Sequence, residues 1–192
     1  MSTPKLPLLS IIVLSSDRLD LLDLTILSLL NCITYPHYEL IIYNHQGMQD
    51  KGWLKLVSMI RGEYVLQSEE DWLYTEQGDW VQQSIKILDI NPKVGMIRLR
   101  KDDDGQTGNI VSSDIGGGYF VNSSGFSLNP FIMRTKDIQQ LAIDMANPLV
   151  YNFERELQNI FGRSCPPGVV KLKGYHQKGV CIHSGWGRRV RR

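Results

Sequence analysis

The residues best suited to chemistry in this chain are three consecutive carboxylates, Glu69-Glu70-Asp71, which follow directly on the apolar run 64–67 (YVLQ). Adjacent carboxylates repel one another, and a hard divalent cation with oxygen preference relieves that repulsion. Side chains alternate along an extended strand, so Glu69 and Asp71 are expected to point one way and Glu70 the other. Glu69 and Asp71 are therefore the candidate ligands for a single hard divalent cation, directly or through water. Two further carboxylates, Glu154 and Glu156, open a stretch in which Phe153, Leu157, Ile160 and Phe161 form one apolar helix face. Both lie on the borders of that face, where either can look into a cleft as a general base. Near a helix start both also favour the N-terminal dipole. Arg188, Arg189, Arg191 and Arg192 close the chain. Guanidinium groups pair bidentately with phosphate, which suits them to clamp a diphosphate or to rest on anionic lipid. The rings of Trp72, Trp80 and Trp186 can stack on sugars or fill a core, whereas Trp53 sits on an apolar helix face.

Charge is segregated along the 192 residues. The net charge is +1, yet residues 163–192 hold eight basic side chains and no acidic one, so the remainder carries −7. Residues 63–79 hold six acidic side chains and no basic one. An anion bridged by a metal cation uses both kinds of region. With 42% hydrophobic and 21% charged residues, a disordered or fibrous chain is excluded. The three cysteines, Cys32, Cys165 and Cys181, form no Cys-x-x-Cys pair, which suggests reduced thiols rather than a disulfide framework or zinc knuckle. The start lacks a basic, apolar leader, and Asp20 and Asp23 interrupt the longest apolar stretch of the first half. The expectation is a cytoplasmic protein, peripheral to a membrane at most through its basic tail. No motif points to a nucleic-acid partner.

The elements that must position these groups alternate between strand and helix. Residues 8–14 (LLSIIVL) and 39–43 (ELIIY) read as buried strands, joined by a helix whose face is Leu22, Ile26, Leu29, Leu30 and Ile33, capped by Asp17 or Asp20. A short helix carrying Trp53, Leu56, Val57 and Ile60 closes at Gly62, and the strand 64–67 follows. Asp79 is placed to cap a helix through Ile90, before a strand at 94–99. Residues 101–118 read as a Gly-rich loop, with Asp102, Asp103 and Asp104 as solvated charges and the stretch 101–125 as a lid. Residues 126–133 read as an edge or bulged strand broken at Asn129-Pro130, and Thr135 caps the next helix. The last helix runs from about Phe153, after Asn152 as cap, to Gly162, and the rest reads as irregular. This is an α/β fold with a mostly parallel central sheet flanked by helices. Ligands of such sheets bind beyond the carboxyl ends of the strands, which aligns Ser15 to Arg18, Asn44 to Gly47 and Glu69 to Trp72 along one edge.

Two blocks resemble a known family. Ser10-Ile-Ile-Val-Leu-Ser-Ser-Asp-Arg18 with Thr34-Tyr-Pro-His-Tyr-Glu-Leu-Ile-Ile-Tyr43 is similar to the opening of family-two-like nucleotide-sugar glycosyltransferases. Gly62-Glu-Tyr-Val-Leu-Gln-Ser-Glu-Glu-Asp-Trp72 resembles their Asp-x-Asp strand end. The resemblance implies a Rossmann-like glycosyltransferase A fold in a single domain, with a nucleotide half at 1–100 and an acceptor-side half at 101–192. It implies a nucleoside diphosphate sugar donor, a glycan or lipid-linked acceptor, and Mn2+ or Mg2+ bridging the diphosphate. Ser15, Asp17, Arg18, Asn44 and Glu70 then fall on the nucleotide, joined by Arg188 at the phosphates. Glu69 matches the first Asp of the motif and Asp71 the last, and His183 is placed as a late histidine completing the metal shell. The resemblance also favours Glu154 over Glu156 as the base. Asn44 departs from the family's usual Asp, and only about fifteen residues separate the second strand from Gly62. The implied function is metal-dependent, inverting transfer of a sugar to an acceptor hydroxyl. A catalytically silent nucleotide- or sugar-binding module is the alternative from another class. A nucleotidyltransferase ranks below both, because Ser15-Ser-Asp-Arg18 lacks a Gly-rich, basic phosphate loop.

Overall fold

The computed structural model describes residues 5–100, 110–113, 118–121, 126–145, 153–172, 174–175 and 179–184. Three parallel strands, β1 (Leu9–Ser15), β2 (Tyr38–Asn44) and β3 (Tyr64–Glu69), are joined through helices α1 (Leu19–Cys32) and α2 (Gln49–Ser58). A short strand β4 (Trp72–Tyr74), helix α3 (Trp80–Ile90) and β5 (Val94–Arg98) follow. The second half comprises the hairpin β6 (Ile110–Ser113) and β7 (Gly118–Val121), then β8 (Phe131–Arg134), α4 (Thr135–Met145), α5 (Phe153–Ser164), β9 (Gly168–Leu172) and β10 (Cys181–His183).

Eight strands form one sheet in the order β2-β1-β3-β8-β5-β9-β7-β6, while β10 pairs with β4 alone. β8 runs antiparallel to both β3 and β5, and β9 runs parallel to β5. The carboxyl ends of β1, β2, β3, β5 and β9 therefore share one edge. Register fixes its layout, with Ser15 opposite Asn44 and Leu14 opposite Glu69. Alternation along the strands splits the apolar residues between two cores. One lies under α1 and α3, around Leu29, Trp72, Trp80, Ile97 and Val170. The other lies under α2, α4 and α5, around Trp53, Val65, Phe131, Ile138 and Leu157.

The opposite, amino edge is tied by a hydrogen-bond knot. The Ser10 hydroxyl donates to Glu39 at 2.6 Å and accepts from the Gly62 amide at 2.8 Å. Arg61 donates to Glu39 at 2.7 Å, and Thr135 donates to the Gly62 carbonyl at 2.6 Å. A side chain at Gly62 would collide with the Leu8 carbonyl and the Ser10 amide, so glycine is needed there for close approach rather than to end a helix.

Several expectations change. β2 is an edge strand with a half-exposed face rather than a buried one, because the sheet grows from β1 toward β3. α1 buries Leu21, Thr25, Leu29 and Cys32 while Leu30 faces outward, and its N-cap is Arg18 without a side-chain bond from Asp17 or Asp20. α2 begins at Gln49 and ends at Ser58, short of Gly62. Asp79 does sit at the N-cap of α3, but it bonds the Gln83 side chain instead of a backbone amide. Thr135 is the first helical residue, its hydroxyl spent on Gly62. β8 is internal and starts only at Phe131, after a bend containing Pro130, so the proline interrupts no ladder. α5 continues through Gly162 to Ser164. The stretches read as loop and irregular tail contain β6, β7, β9 and β10, and β9 is an internal strand built on Val169 and Val170. Among the described residues, no helix is long and apolar enough to cross a membrane.

Candidate functional site

The shared carboxyl edge gathers the polar residues that face a ligand. β3 ends at Glu69 and the chain turns at Glu70-Asp71 before β4 begins. The alternation that was expected to pair Glu69 with Asp71 stops at that turn. Glu70 and Asp71 meet instead on one cation, Arg18. The Arg18 Nε lies 2.8 Å from Glu70 Oε1, its Nη2 also contacts that oxygen, and Nη2 lies 3.0 Å from Asp71 Oδ2. The Ser16 hydroxyl adds a 2.6 Å bond to Glu70 Oε1. Burial opposes the Arg18 charge, but the bond and charge of Glu70, followed by those of Asp71, outweigh it and raise its pKa.

His183 completes this cluster from the far end of the chain. β10 pairs with β4 so that His183 stands opposite Trp72, and its Nε2 lies 3.3 Å from Asp71 Oδ2. The imidazole packs edge-on against Trp72 at 5.1 Å. The Ser184 amide holds the Asp71 carbonyl at 2.8 Å. Burial would raise the Asp71 pKa; the His183 bond and charge, with those of Arg18, reverse this and lower it. The other oxygen, Asp71 Oδ1, is buried and has no hydrogen-bond partner among the described residues.

Glu69 occupies different surroundings. Its carboxylate accepts a 3.0 Å bond from Gln49 at the start of α2. Burial, then the charges of Asp71, Glu70 and Glu154, push its pKa up to about 8. Glu154 thus faces the same space from the first turn of α5. Its Oε1 accepts bonds of 3.1 Å from both the Ser127 hydroxyl and the Leu128 amide. Glu156 does not reach this space and accepts from Asn159 on its own helix at 3.2 Å.

The early loops are tied to one another. Asn44 donates to the Ser16 carbonyl at 3.3 Å and to Asp17 Oδ1 at 3.4 Å, while its own Oδ1 accepts from the Gln46 amide at 2.9 Å. An aspartate could not donate to that carbonyl, which gives Asn44 a structural reason. Gln46 and Gly47 take positive φ in the same turn. Ser15, at the end of β1, is buried with its hydroxyl on the Ser16 carbonyl.

Thr25, Gln49 and Ser127 escaped the sequence reading, and Ser16 lay on the expected ligand edge without a role of its own. Thr25 matters most, since its buried hydroxyl donates to the Glu70 carbonyl at 2.6 Å and accepts from the Trp72 amide at 3.2 Å. Its signal was present: Thr25 lies four residues from both Leu21 and Leu29, a polar group in a helical apolar stripe. Trp72 and Trp80 are buried in the first core, so sugar stacking is not their role, and Trp53 is core as expected. Arg188, the other tail arginines, Trp186, Asn152 and the acidic run at 102–104 lie outside the described residues.

Comparison with solved structures decides the fold. A mannosyltransferase from Pyrobaculum calidifontis, in complex with GDP-Man and Mn2+, aligns with a TM-score of 0.65 at 11% identity, over 97% of this chain and 59% of its own. S. aureus TarS residues 1–349 align at 0.57 and 13% identity, over 92% and 60%. The glucosyl-3-phosphoglycerate synthase from Mycobacterium tuberculosis, in complex with phosphoglyceric acid, aligns at 0.58 and 12% identity, over 92% and 72%. The chain has a glycosyltransferase A fold. It spans about three fifths of the first of these structures. No family model matches the sequence, and neither does any curated protein.

In this glycosyltransferase A fold, the acidic turn carries a partial donor set for a divalent cation. Among the described residues, no three His, Cys, Asp or Glu side chains converge as a ready cage. The buried, unpartnered Asp71 Oδ1 beside the His183 imidazole nevertheless offers two protein donors. Such a set fits ions that take one or two protein ligands and complete their shell with substrate phosphates and water.

Proposed function

We propose that this chain transfers a sugar from a nucleoside diphosphate sugar to an acceptor hydroxyl with inversion at the anomeric carbon, using a divalent cation. The observation that carries the reading is the buried Asp71 Oδ1, which has no hydrogen-bond partner among the described residues and lies beside His183, at the carboxyl edge of a glycosyltransferase A sheet. Asp71 and His183 would hold Mn2+ or Mg2+, with Glu69 bordering them. The ion, when bound, acts as a Lewis acid that stabilises the charge developing on the leaving diphosphate. Arg18 neutralises Glu70 and Asp71 in the free protein, and the loops carrying Ser15, Asp17 and Asn44 receive the nucleoside. Glu154, oriented by Ser127 and Leu128, takes the proton of the acceptor hydroxyl. The acceptor oxygen then bonds the anomeric carbon as its bond to the diphosphate oxygen breaks. The bond on Asn159 withdraws Glu156 from this task.

The test is a thermal-shift panel of nucleoside diphosphates with and without Mn2+, followed by donor hydrolysis and transfer assays. Binding to the native state alone raises stability by mass action, and the expected result is a rise that depends on both components. A chain that binds nucleotide with metal but turns over no donor is the silent module instead. A chain indifferent to every nucleoside diphosphate overturns both readings.

A further inference from the structure

One edge of the sheet carries none of the features that keep an edge strand from pairing. β2 is the outermost strand, and among the described residues it pairs with β1 alone. The link from β2 to β3 carries only α2, so it places no strand outside β2. All seven residues of β2 run in register with β1 without a bulge. The strand, YELIIYN, holds no lysine, proline or glycine, and lysine, proline and bulges are the usual guards of an edge. Its one charged residue, Glu39, is held by Ser10 and Arg61.

The backbone of β2 shows which groups this edge offers. The His37 carbonyl accepts from the Leu9 amide at 3.1 Å, and the His45 amide donates to the Ser15 carbonyl at 2.9 Å. Bonding residues alternate along a parallel ladder, so Glu39, Ile41 and Tyr43 also bond β1. The amides and carbonyls of Tyr38, Leu40, Ile42 and Asn44 therefore point to the open edge. Tyr38, Leu40 and Ile42 lie opposite Leu9, Ile11 and Val13 of the first core, on the face that carries α1. Leu22 and Ile26 of α1 are half-buried at the rim of that core, as Leu40 is. The helical turn leads on from them to Leu19 and Leu30 and then to Leu27, with the exposed Asp23 among them as a rim charge. Leu19 and Leu27 are each 61% exposed, Ile42 43%, Leu30 40% and Tyr38 37%. These side chains present roughly 400–500 Å² per chain, so two copies come close to the ~1,000 Å² of a stable interface before the strand backbone is counted.

We propose that β2 pairs antiparallel with β2 of a second copy of this chain, about a twofold axis through Ile41 perpendicular to the sheet, with the α1 flanks lining the same interface. This register alone pairs all seven residues: Tyr38 with Asn44, Glu39 with Tyr43, Leu40 with Ile42, and Ile41 with itself. The outward-pointing residues then meet one another as hydrogen-bonded pairs, and no charge faces a like charge across the strands. The edge is thus complementary to itself, as a twofold contact demands, which favours a second copy over a foreign strand. The axis reverses the strand direction, so the two ligand edges open on opposite sides of the joined sheet. Dimerisation of this kind is independent of the glycosyl-transfer reading.

The experiment is sedimentation velocity of the full chain from about 1 to 100 µM, where a mass rising toward twice that of one chain is expected. Ile42→Lys sets a lysine against Leu40 of each facing strand and should weaken association by about tenfold or more. Leu27→Lys, on the α1 flank, should weaken it by about threefold or more. Circular dichroism and Tm establish that both variants fold. A wild-type chain that stays monomeric over this range, or a dimer that both variants leave intact, overturns the proposal. Should the lysine variants fail to fold, Ile41→Cys decides. Facing residues of a non-hydrogen-bonded antiparallel pair have Cα atoms about 4.5 Å apart, within disulfide reach. The native Cys32, Cys165 and Cys181 are buried, so mild oxidation should link Ile41→Cys chains into covalent dimers and leave wild type unlinked. Absence of that link overturns the proposal.

Discussion

The two ends of the ligand edge solve opposite electrostatic problems. At the end of β3, two carboxylates share one guanidinium, a serine hydroxyl and an imidazole, and the buried Asp71 Oδ1 remains without a hydrogen-bond partner among the described residues. At the ends of β5 and β9, three cations, Arg98, Arg100 and Lys171, lie together in the interior. The first region holds carboxylates on a turn braced by its neighbours, so a cation adds to an existing arrangement. The second holds like charges on and just beyond regular strands, where the backbone ladder fixes their positions. A near-neutral chain can thus gather two regions of opposite charge on one sheet edge without a uniformly charged surface.

The sharpest way to break this comparison is Asp71→Ala. It is expected to lower donor turnover by about a hundredfold or more, as loss of an ion-holding group removes charge stabilisation. Wild-type nucleotide affinity at saturating Mn2+ would detach the acidic turn from the metal. Glu154→Gln comes next, with kcat falling by about 100-fold or more while nucleotide binding holds. Glu156→Gln, run alongside, should stay within about twofold, since its bond among the described residues is to its own helix.

Thr25→Val tests the bracing of the turn. It strands the Glu70 carbonyl and the Trp72 amide and should cost about 1–3 kcal/mol, seen as a clear fall in Tm. Metal-dependent nucleotide binding should weaken with it. Glu69→Gln is expected to act in the other direction. The folded carboxyl titrates at about 8, raised mainly by burial, so the folded state holds a proton that the unfolded chain releases above the ordinary glutamate range. Stability therefore falls as pH rises from about 4.5 to 8. Glutamine removes that slope, so its Tm relative to wild type should rise steadily from pH 5 to pH 8. A wild-type stability flat across that window would mean that solvent reaches the Glu69 carboxyl.

The first half of the fold was legible because its signals are local. The apolar run of β1, the Asp79 start of α3 and the face of α5 follow from periodicity and were found in place. The alignment of Ser15, Asn44 and Glu69 along one edge also followed from strand and helix alternation. What failed depended on long-range pairing. β9 lies between two prolines and a glycine, and its buried Lys171 disguised an internal strand as a polar tail. The antiparallel insertion of β8 leaves no mark in composition. The pairing of β10 with β4 brings His183 to a residue 112 positions earlier, a neighbour that the family resemblance implied and that periodicity alone did not. The turn at Glu70-Asp71 looked extended because it carries no glycine or proline. Thr25, Arg18 and Ser16 hold it instead, and they lie about fifty residues away.

The knot at the amino edge bears on how the molecule breathes. Ser10, Glu39, Arg61, Gly62 and Thr135 bind β1, β2, β3 and α4 through bonds that join distant parts of the chain. The Gly62 amide cannot be released without separating those elements, so its hydrogen exchange should proceed only through global opening. At the ligand edge, the turn at Asn44 to Gly47 rests on bonds between near neighbours and on one loop. Its amides should exchange through small local openings at a far lower free energy. The sheet is therefore hinged at one rim and free to fluctuate at the other, and ligand entry need not draw on the stability of the whole domain.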